Sequence, residues 1–132
     1  MDASNELTFR VYFEDTDAQG VVYYGNYLRY MERGRTEWLR DRKIQQSRLA
    51  ETEHLFFTVS EMKLKYHQPA RLDDIIFVRT ALGKLGRVRF EFEQEIRRES
   101  STGTLLVSGV CTAACVDTRN FRPRRLPAGL FG

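Results

Sequence analysis

Seven consecutive residues, Glu14-Asp15-Thr16-Asp17-Ala18-Gln19-Gly20, place three carboxylates within four positions. Such a cluster repels itself, so it needs plentiful solvent or a use for its charge. The residue types allow three readings. One is a solvated loop whose aspartates close Asx-turns on backbone N–H groups two residues ahead. A second is calcium, because D-x-D-x-x-G opens an EF-hand loop. That pattern fails here, with Gln19 in the fifth position and Asn26 in the twelfth, where a bidentate glutamate belongs. The third is catalytic. A helical pattern starts near Tyr24, seven residues after Asp17, and a helix N-terminus offers unpaired N–H groups and partial positive charge. Those groups can polarise a carbonyl, while the Asp17 carboxylate serves as general base or nucleophile. A carboxylate beside a polarised carbonyl suits hydrolysis. No Ser-His or Cys-His pair stands on a recognisable elbow, so a serine or thiol mechanism has no support.

The elements around this cluster follow from periodicity. Residues 6–13 alternate Leu7, Phe9 and Val11 with polar partners and predict a first strand. From about Tyr24 to Lys43 the period becomes helical, with Tyr27, Met31, Gly34 and Trp38 on one stripe beside Leu28, Arg35 and Leu39. Asn26 is the expected N-cap, and the helix spans roughly 27 Å. Gly34 weakens a helix interior by about 1 kcal/mol against alanine, which points to a close approach to a sheet. Glu32 and Arg35, three apart, could pair on its surface. After a short second helix over 47–53, everything reads as strand. A parity switch at Ser60–Glu61 moves the apolar positions from Phe57 and Val59 to Met62, Leu64 and Tyr66, which suggests a β-bulge. Further strands are expected over 74–82, 87–98 and 104–116, with Gly83 and Gly86 marking a turn. In the 87–98 strand Val88, Phe90, Phe92 and Ile96 share one face, opposite Arg89, Glu91, Glu93, Glu95 and Arg97. The expected architecture is α+β: one long helix against a sheet of about five strands, four of them in a meander. At 132 residues this is one domain, 1–132, ending in an irregular basic tail over 117–132.

Composition narrows the class further. With 42% hydrophobic and 30% charged residues the chain folds rather than staying disordered. No stretch has the apolar length of a membrane span, and the acidic MDASNE terminus lacks the features of a secretory signal. Cys111 and Cys115, on one face of a strand, stand roughly 13 Å apart, too far for a disulfide. With His54 and His67 patterned with nothing, zinc is not expected, and two reduced thiols fit a cytoplasmic protein.

The segment V-Y-F-E-D-T-D-A-Q-G-V-V-Y-Y-G-N-Y-L-R-Y-M-E-R-G-R-T-E-W-L-R resembles the signature of hotdog-fold acyl-CoA thioesterases, within them the YbgC-like and 4-hydroxybenzoyl-CoA thioesterase group. Tyr66-His67-Gln68-Pro69-Ala70-Arg71-Leu72-Asp73-Asp74 and Arg122-Pro123-Arg124-Arg125-Leu126-Pro127 extend the likeness over nearly the whole chain. The resemblance implies a long central helix wrapped by a curved antiparallel sheet. It also implies homodimers joined edge to edge, commonly paired into homotetramers, with the active site at the dimer interface. It places the catalytic aspartate at Asp17 and the carbonyl-polarising N–H at Tyr24. Many YbgC-like sequences carry histidine where this chain has Tyr24. A phenol stays protonated at neutral pH and is no general base there, so only the backbone role of that position carries over.

The substrate so implied is an acyl-CoA, with no cofactor. Its phosphates call for arginine or lysine, and two clusters qualify. Lys84, Arg87 and Arg89 surround the Gly83–Gly86 turn, and Arg119, Arg122, Arg124 and Arg125 crowd the tail. By resemblance the turn cluster and one tail arginine, Arg124, contact the nucleotide phosphates. Without the four tail arginines, seventeen basic residues face eighteen acidic ones. The net +3 is therefore local to the tail, and no recognition motif or aromatic stripe accompanies it to suggest nucleic acid. Two other readings remain: a hydratase, which would need a cleft histidine although none precedes residue 54, and a non-catalytic acyl-CoA or acyl-carrier-protein-binding scaffold.

Overall fold

A computed structural model describes residues 4–131. The start of the MDASNE terminus and the final residue of the tail lie outside the described residues. Strand β1 (Ser4–Arg10) is followed by a 3-10 turn at Phe13–Asp15, helix α1 (Asn26–Asp41) and helix α2 (Gln46–Glu53). Strands β2 (Leu55–Tyr66), β3 (Ile75–Leu85), β4 (Arg89–Arg98) and β5 (Leu105–Asp117) complete the order. All five strands form one antiparallel sheet in the order β1-β3-β4-β5-β2. No helix among the described residues is long and apolar enough to cross a membrane.

The α+β class and the five-stranded sheet agree with expectation, but the four-strand meander does not. Only β3, β4 and β5 are consecutive neighbours; β2 leaves for the far edge and pairs with β5. The eight residues after Tyr66 make that crossing. They pass the start of α1, where the Ala70 N–H donates to the Tyr27 hydroxyl at 3.0 Å and its carbonyl accepts the Val22 N–H at 2.8 Å. Strand β1 also ends three residues before its alternation suggests, at Arg10, because the chain turns into the 3-10 segment at Phe13. Gly83 lies within β3, and only Gly86 belongs to the turn, its N–H donating to the Arg89 carbonyl at 2.8 Å.

Helix and sheet meet where the stripe predicts. Tyr27, Met31, Gly34, Trp38 and Leu39 are buried, whereas Leu28 is exposed. Gly34 is the contact point: a Cβ there would stand 2.6 Å from Thr80 Oγ1 and 3.1 Å from Gln94 Nε2. Gln94 is the polar residue on the apolar face of β4. It donates to the Met31 carbonyl at 2.9 Å and to Thr80 Oγ1 at 2.8 Å, and accepts from Arg35 at 3.0 Å. Arg35 is thus satisfied from the sheet rather than by Glu32. The ladder between β2 and β5 shifts register between Val59 and Glu61, the bulge that the parity switch announces. Val59 itself is exposed at the edge.

Two apolar clusters fill the layer. One surrounds Val11, Val22, Tyr27, Met31 and Ile76 near the start of α1. The other holds Trp38, Phe90, Phe92 and Leu39 near its end, covered by Leu126, Leu130 and Phe131 of the tail.

Candidate active site

The residues between β1 and α1 fold into a short ribbon. Thr16 bridges Val22, the Asp17 N–H donates to the Val21 carbonyl at 2.9 Å, and the Gly20 N–H returns to the Asp17 carbonyl at 3.0 Å. Gly20 closes the tip with φ +78°, a left-handed conformation that favours glycine. Asp17 Oδ1 accepts the Gln19 N–H at 2.9 Å, so the Asx-turn does form. It occupies one face of one oxygen and leaves the carboxylate exposed, which keeps it accessible to a ligand.

Tyr24 lies on the returning arm, two residues before α1. The residue is 63% exposed, its ring resting against Tyr23 at 4.6 Å and meeting Tyr66 edge-on at 6.4 Å. The Tyr66 hydroxyl donates to the Tyr24 carbonyl at 3.4 Å. Among the described residues the Tyr24 N–H donates no hydrogen bond. Tyr24 also lines a recess of about 260 Å³ with Tyr27, Tyr66, His67, Gln68 and Pro69. Hydrogen bonding to Tyr24 holds the Tyr23 phenol above its ordinary pKa. Asp17 and Tyr24 share one ribbon but no hydrogen bond joins them.

Asn26 is not the helix cap. Gly25 occupies that position without a side-chain bond, and Asn26 is the first helical residue. Its Nδ2 instead donates to the Asp15 carbonyl at 2.9 Å, tying helix to ribbon. An amide at this position can serve either backbone, and the sequence alone does not say which.

The basic residues gather at the other end of the sheet. Lys84, Arg87 and Arg89 are exposed around the β3–β4 turn. The tail is pinned to that turn: Leu126 N–H donates to the Arg87 carbonyl at 2.8 Å and Arg124 N–H to the Cys115 carbonyl at 3.0 Å. Between turn and tail runs a groove of about 610 Å³ with apolar walls from Leu82, Leu85, Leu126 and Phe131, and with Arg87 and Arg125 on it. Arg124 points elsewhere. Its guanidinium donates to the Glu53 carbonyl at 2.8 Å and lies 3.8 Å from the Asp117 carboxylate, closing the end of α2. Arg119 grips the same carboxylate and, with its own N–H, lowers the Asp117 pKa to about 2. Arg125, in the expected cluster but not the residue singled out, is the tail arginine beside Arg87. Neighbouring residues on an extended segment face opposite ways, and only the docked path decides which one looks into the groove.

The hairpin and the groove are not brought together within one chain. Ile75 at the start of β3 pairs with Arg10 near the hairpin, while Leu85 leads into the basic turn, on the order of 30 Å along the strand. A Ser-His pair that spacing did not reveal also exists: His67 Nε2 and Ser108 Oγ lie 2.9 Å apart. Ser108 stands with Lys65 and Glu95 on the face away from the helix. Among the described residues no carboxylate orients that histidine, and although His67 borders the tyrosine recess, Ser108 does not line it. His54 closes α2 in a left-handed conformation, φ 54°. Cys111 and Cys115 are free and buried, and burial pushes both thiols up.

Residues 19–104 match the model of the thioesterase superfamily. The acyl-CoA thioester hydrolase YbgC of Escherichia coli O6:H1 is 39% identical over 121 residues, covering 92% of this chain and 88% of that protein. A probable thioesterase from Bartonella henselae superposes with a TM-score of 0.86 at 36% identity, over 94% of this chain and 99% of that one. The 4-hydroxybenzoyl-CoA thioesterase of Pseudomonas shares the fold, with a TM-score of 0.87 at 19% identity over 96% of both chains. Identity over nearly the whole length of both chains, and superposition of the sheet with its helices, lead to one conclusion: the chain belongs to the thioesterase superfamily and is a thioester hydrolase of the hotdog fold.

Proposed function

We propose that the protein hydrolyses an acyl-CoA to the free acid and CoA, with Asp17 activating the attack and the Tyr24 N–H receiving the developing oxyanion. The observation that carries this reading is the unengaged Tyr24 N–H at the opening of α1, on the same ribbon that exposes the Asp17 carboxylate. The YbgC relatives, named for acyl-CoA thioester hydrolysis, support the substrate class. In a general-base route Asp17 takes a proton from water as the water oxygen adds to the thioester carbon. The carbonyl electron pair moves onto the oxygen facing Tyr24, and collapse breaks the C–S bond to release the thiolate. In a nucleophilic route the carboxylate itself adds and the thiolate leaves. Water then adds to the aspartyl carbonyl of the resulting anhydride, its oxygen stays on Asp17 and the free acid leaves. A single turnover in heavy-oxygen water separates the two, because only the second labels Asp17.

Arg87 and Arg125, with Lys84 and Arg89 at the rim, are the residues we assign to the CoA phosphates. Arg124 is assigned to the scaffold. The 30 Å scale of the separation within one chain favours a site shared between subunits. Strand β2 is an edge strand of twelve residues, and antiparallel pairing with its copy sets the hairpin end of one protomer beside the basic end of its partner. An edge-to-edge dimer, paired again into a tetramer, is the assembly this reading requires. A CoA substrate and two free buried thiols suit a reducing cytoplasm.

The test is hydrolysis of short, long and aromatic acyl-CoAs by wild type and Asp17→Asn. Loss of at least a thousandfold in kcat with unchanged thermal stability is expected. Equal rates would remove Asp17 from the mechanism, and tight binding without turnover across the panel would make the protein an acyl-CoA-binding scaffold. Mixing Asp17→Asn protomers with Arg87→Ala, Arg125→Ala protomers should restore activity if the two halves of the site come from different subunits.

A further inference from the structure

Asp15, two residues before the proposed catalytic carboxylate, has more structural partners than any neighbour on the ribbon. Its N–H donates to the Tyr12 carbonyl at 3.0 Å, and its Oδ2 accepts the Tyr12 N–H at 2.8 Å. Its carbonyl accepts twice, from the Tyr23 N–H at 3.0 Å and from Asn26 Nδ2 at 2.9 Å. One residue thereby ties the 3-10 turn, the returning arm and the first residue of α1. Asp17 has nothing comparable: its one side-chain hydrogen bond stays within its own turn. Its place relative to the helix start is inherited from Asp15.

One turn beyond Asn26, on the same side of α1, is Tyr30. It is 4% exposed, and its hydroxyl has no hydrogen-bond partner among the described residues. Burial first, then the adjacent Asp15 carboxylate, push the phenol well above its ordinary pKa, so it stays a neutral donor. Buried hydroxyls without an acceptor are rare in native proteins and call for an explanation. The acceptor at hand is the Asp15 carboxylate, whose Oδ1 accepts nothing among the described residues.

We propose that Asp15 is the positioning residue for Asp17, with the Tyr30 hydroxyl as the buried donor that locks the Asp15 carboxylate against α1. Neither side chain touches the reacting atoms. Asp15 sets the distance between the Asp17 carboxylate and the carbonyl held at Tyr24, and Tyr30 sets the orientation of Asp15. This rests on the reading that Asp17 is catalytic. Misplacement on the scale of 1 Å can lower a rate about a hundredfold, which gives the size of effect to look for.

The experiment measures kcat, KM and thermal unfolding for Asp15→Ala, Asp15→Asn and Tyr30→Phe, each alone and combined with Asp17→Asn, on one acyl-CoA. Asp15→Ala should lower kcat about a hundredfold while KM stays within about threefold. Asp15→Asn, which keeps an oxygen acceptor, should recover part of that, and Tyr30→Phe should lose about three- to tenfold. Each loss should vanish in the Asp17→Asn background, because a residue acting only through Asp17 has nothing left to position. Losses that multiply with Asp17→Asn, or a folded Asp15→Ala with wild-type kcat, would overturn the proposal. Should Asp15→Ala fail to fold, the near-isosteric Asp15→Asn and Tyr30→Phe decide by the same non-additivity. Full activity of Asp17→Asn alone is a separate outcome: it would overturn the catalytic reading on which the positioning role depends, and the positioning role with it.

Discussion

The two ends of α1 solve opposite problems. At its start the chain is held by backbone hydrogen bonds of a ribbon, and above the buried Tyr27 and Tyr30 the side chains of Tyr23, Tyr24 and Tyr66 stay exposed. At its end Trp38, Phe90 and Phe92 are buried edge-to-face, with ring centroids 5.2 Å and 5.4 Å apart. The tail seals that end, Phe131 lying 4.9 Å from Phe90. Ligand chemistry needs exposed, directional groups whose positions come from hydrogen bonds. Stability needs apolar area removed from water, about 1.5–3 kcal/mol for each large side chain. A buried cluster lies under both ends, but the start adds the ribbon and its exposed tyrosines, so substitutions at the far end should act on stability and leave the chemistry intact.

The largest effect is expected from Phe90→Ala, which opens a cavity beneath the tail and should cost about 3–5 kcal/mol by denaturant unfolding. The kcat of the folded fraction should hardly change. A comparable loss of kcat would mean that the aromatic end also serves the chemistry. Gly34→Ala tests the seam between the ends. The added methyl meets Thr80 and Gln94, both buried and hydrogen-bonded, so they cannot retreat freely. Overpacking should outweigh the gain in helix propensity of about 1 kcal/mol, for a net loss of about 1–2 kcal/mol; a stabilised variant would show that the seam can relax.

Arginines at the tail end sharpen the contrast between ligand and scaffold. Arg87→Ala or Arg125→Ala should raise KM for CoA esters about tenfold, in line with one lost charge-assisted hydrogen bond, and leave esters of truncated pantetheine unchanged. Arg124→Ala should lower the melting temperature instead, with no difference between the two substrates. The reverse pattern would exchange the assignments. The smallest effect concerns pH. The Asp117 carboxyl, gripped by Arg119, is depressed in the folded state to about 2, against an unfolded value near 4. Its contribution is fully present above about pH 4 and fades as pH falls toward 2. The difference in melting temperature between wild type and Asp117→Asn should shrink over that window; a constant difference would mean that the pair contributes no charge-dependent stability.

Much of this was legible before any coordinates. Period 2 and period 3.6 are properties of local chain geometry, so the α1 stripe and the alternation of β4 read directly from residue order. A bulge reverses parity, and so Val59–Glu61 was visible. Gly34 stood out because a helix interior tolerates glycine only for a reason. Gln94 carries a signal too: a polar residue in phase with Phe90, Phe92 and Ile96 needs a buried partner, and Met31, Thr80 and Arg35 supply three.

What residue order determined by itself was the set of elements, the inward faces and the carboxylate cluster just before the helix, because each depends on neighbours a few positions apart. Tertiary structure decided the rest. It sent β2 to the far edge, gave Asn26 to the ribbon instead of the cap, folded the tail over the aromatic cluster, and turned Arg125 rather than Arg124 toward the groove. It also buried the Tyr30 hydroxyl without a partner among the described residues. Those choices rest on pairings between distant segments, where one residue of register reverses a side chain's direction, and no local pattern encodes which distant partner will be there.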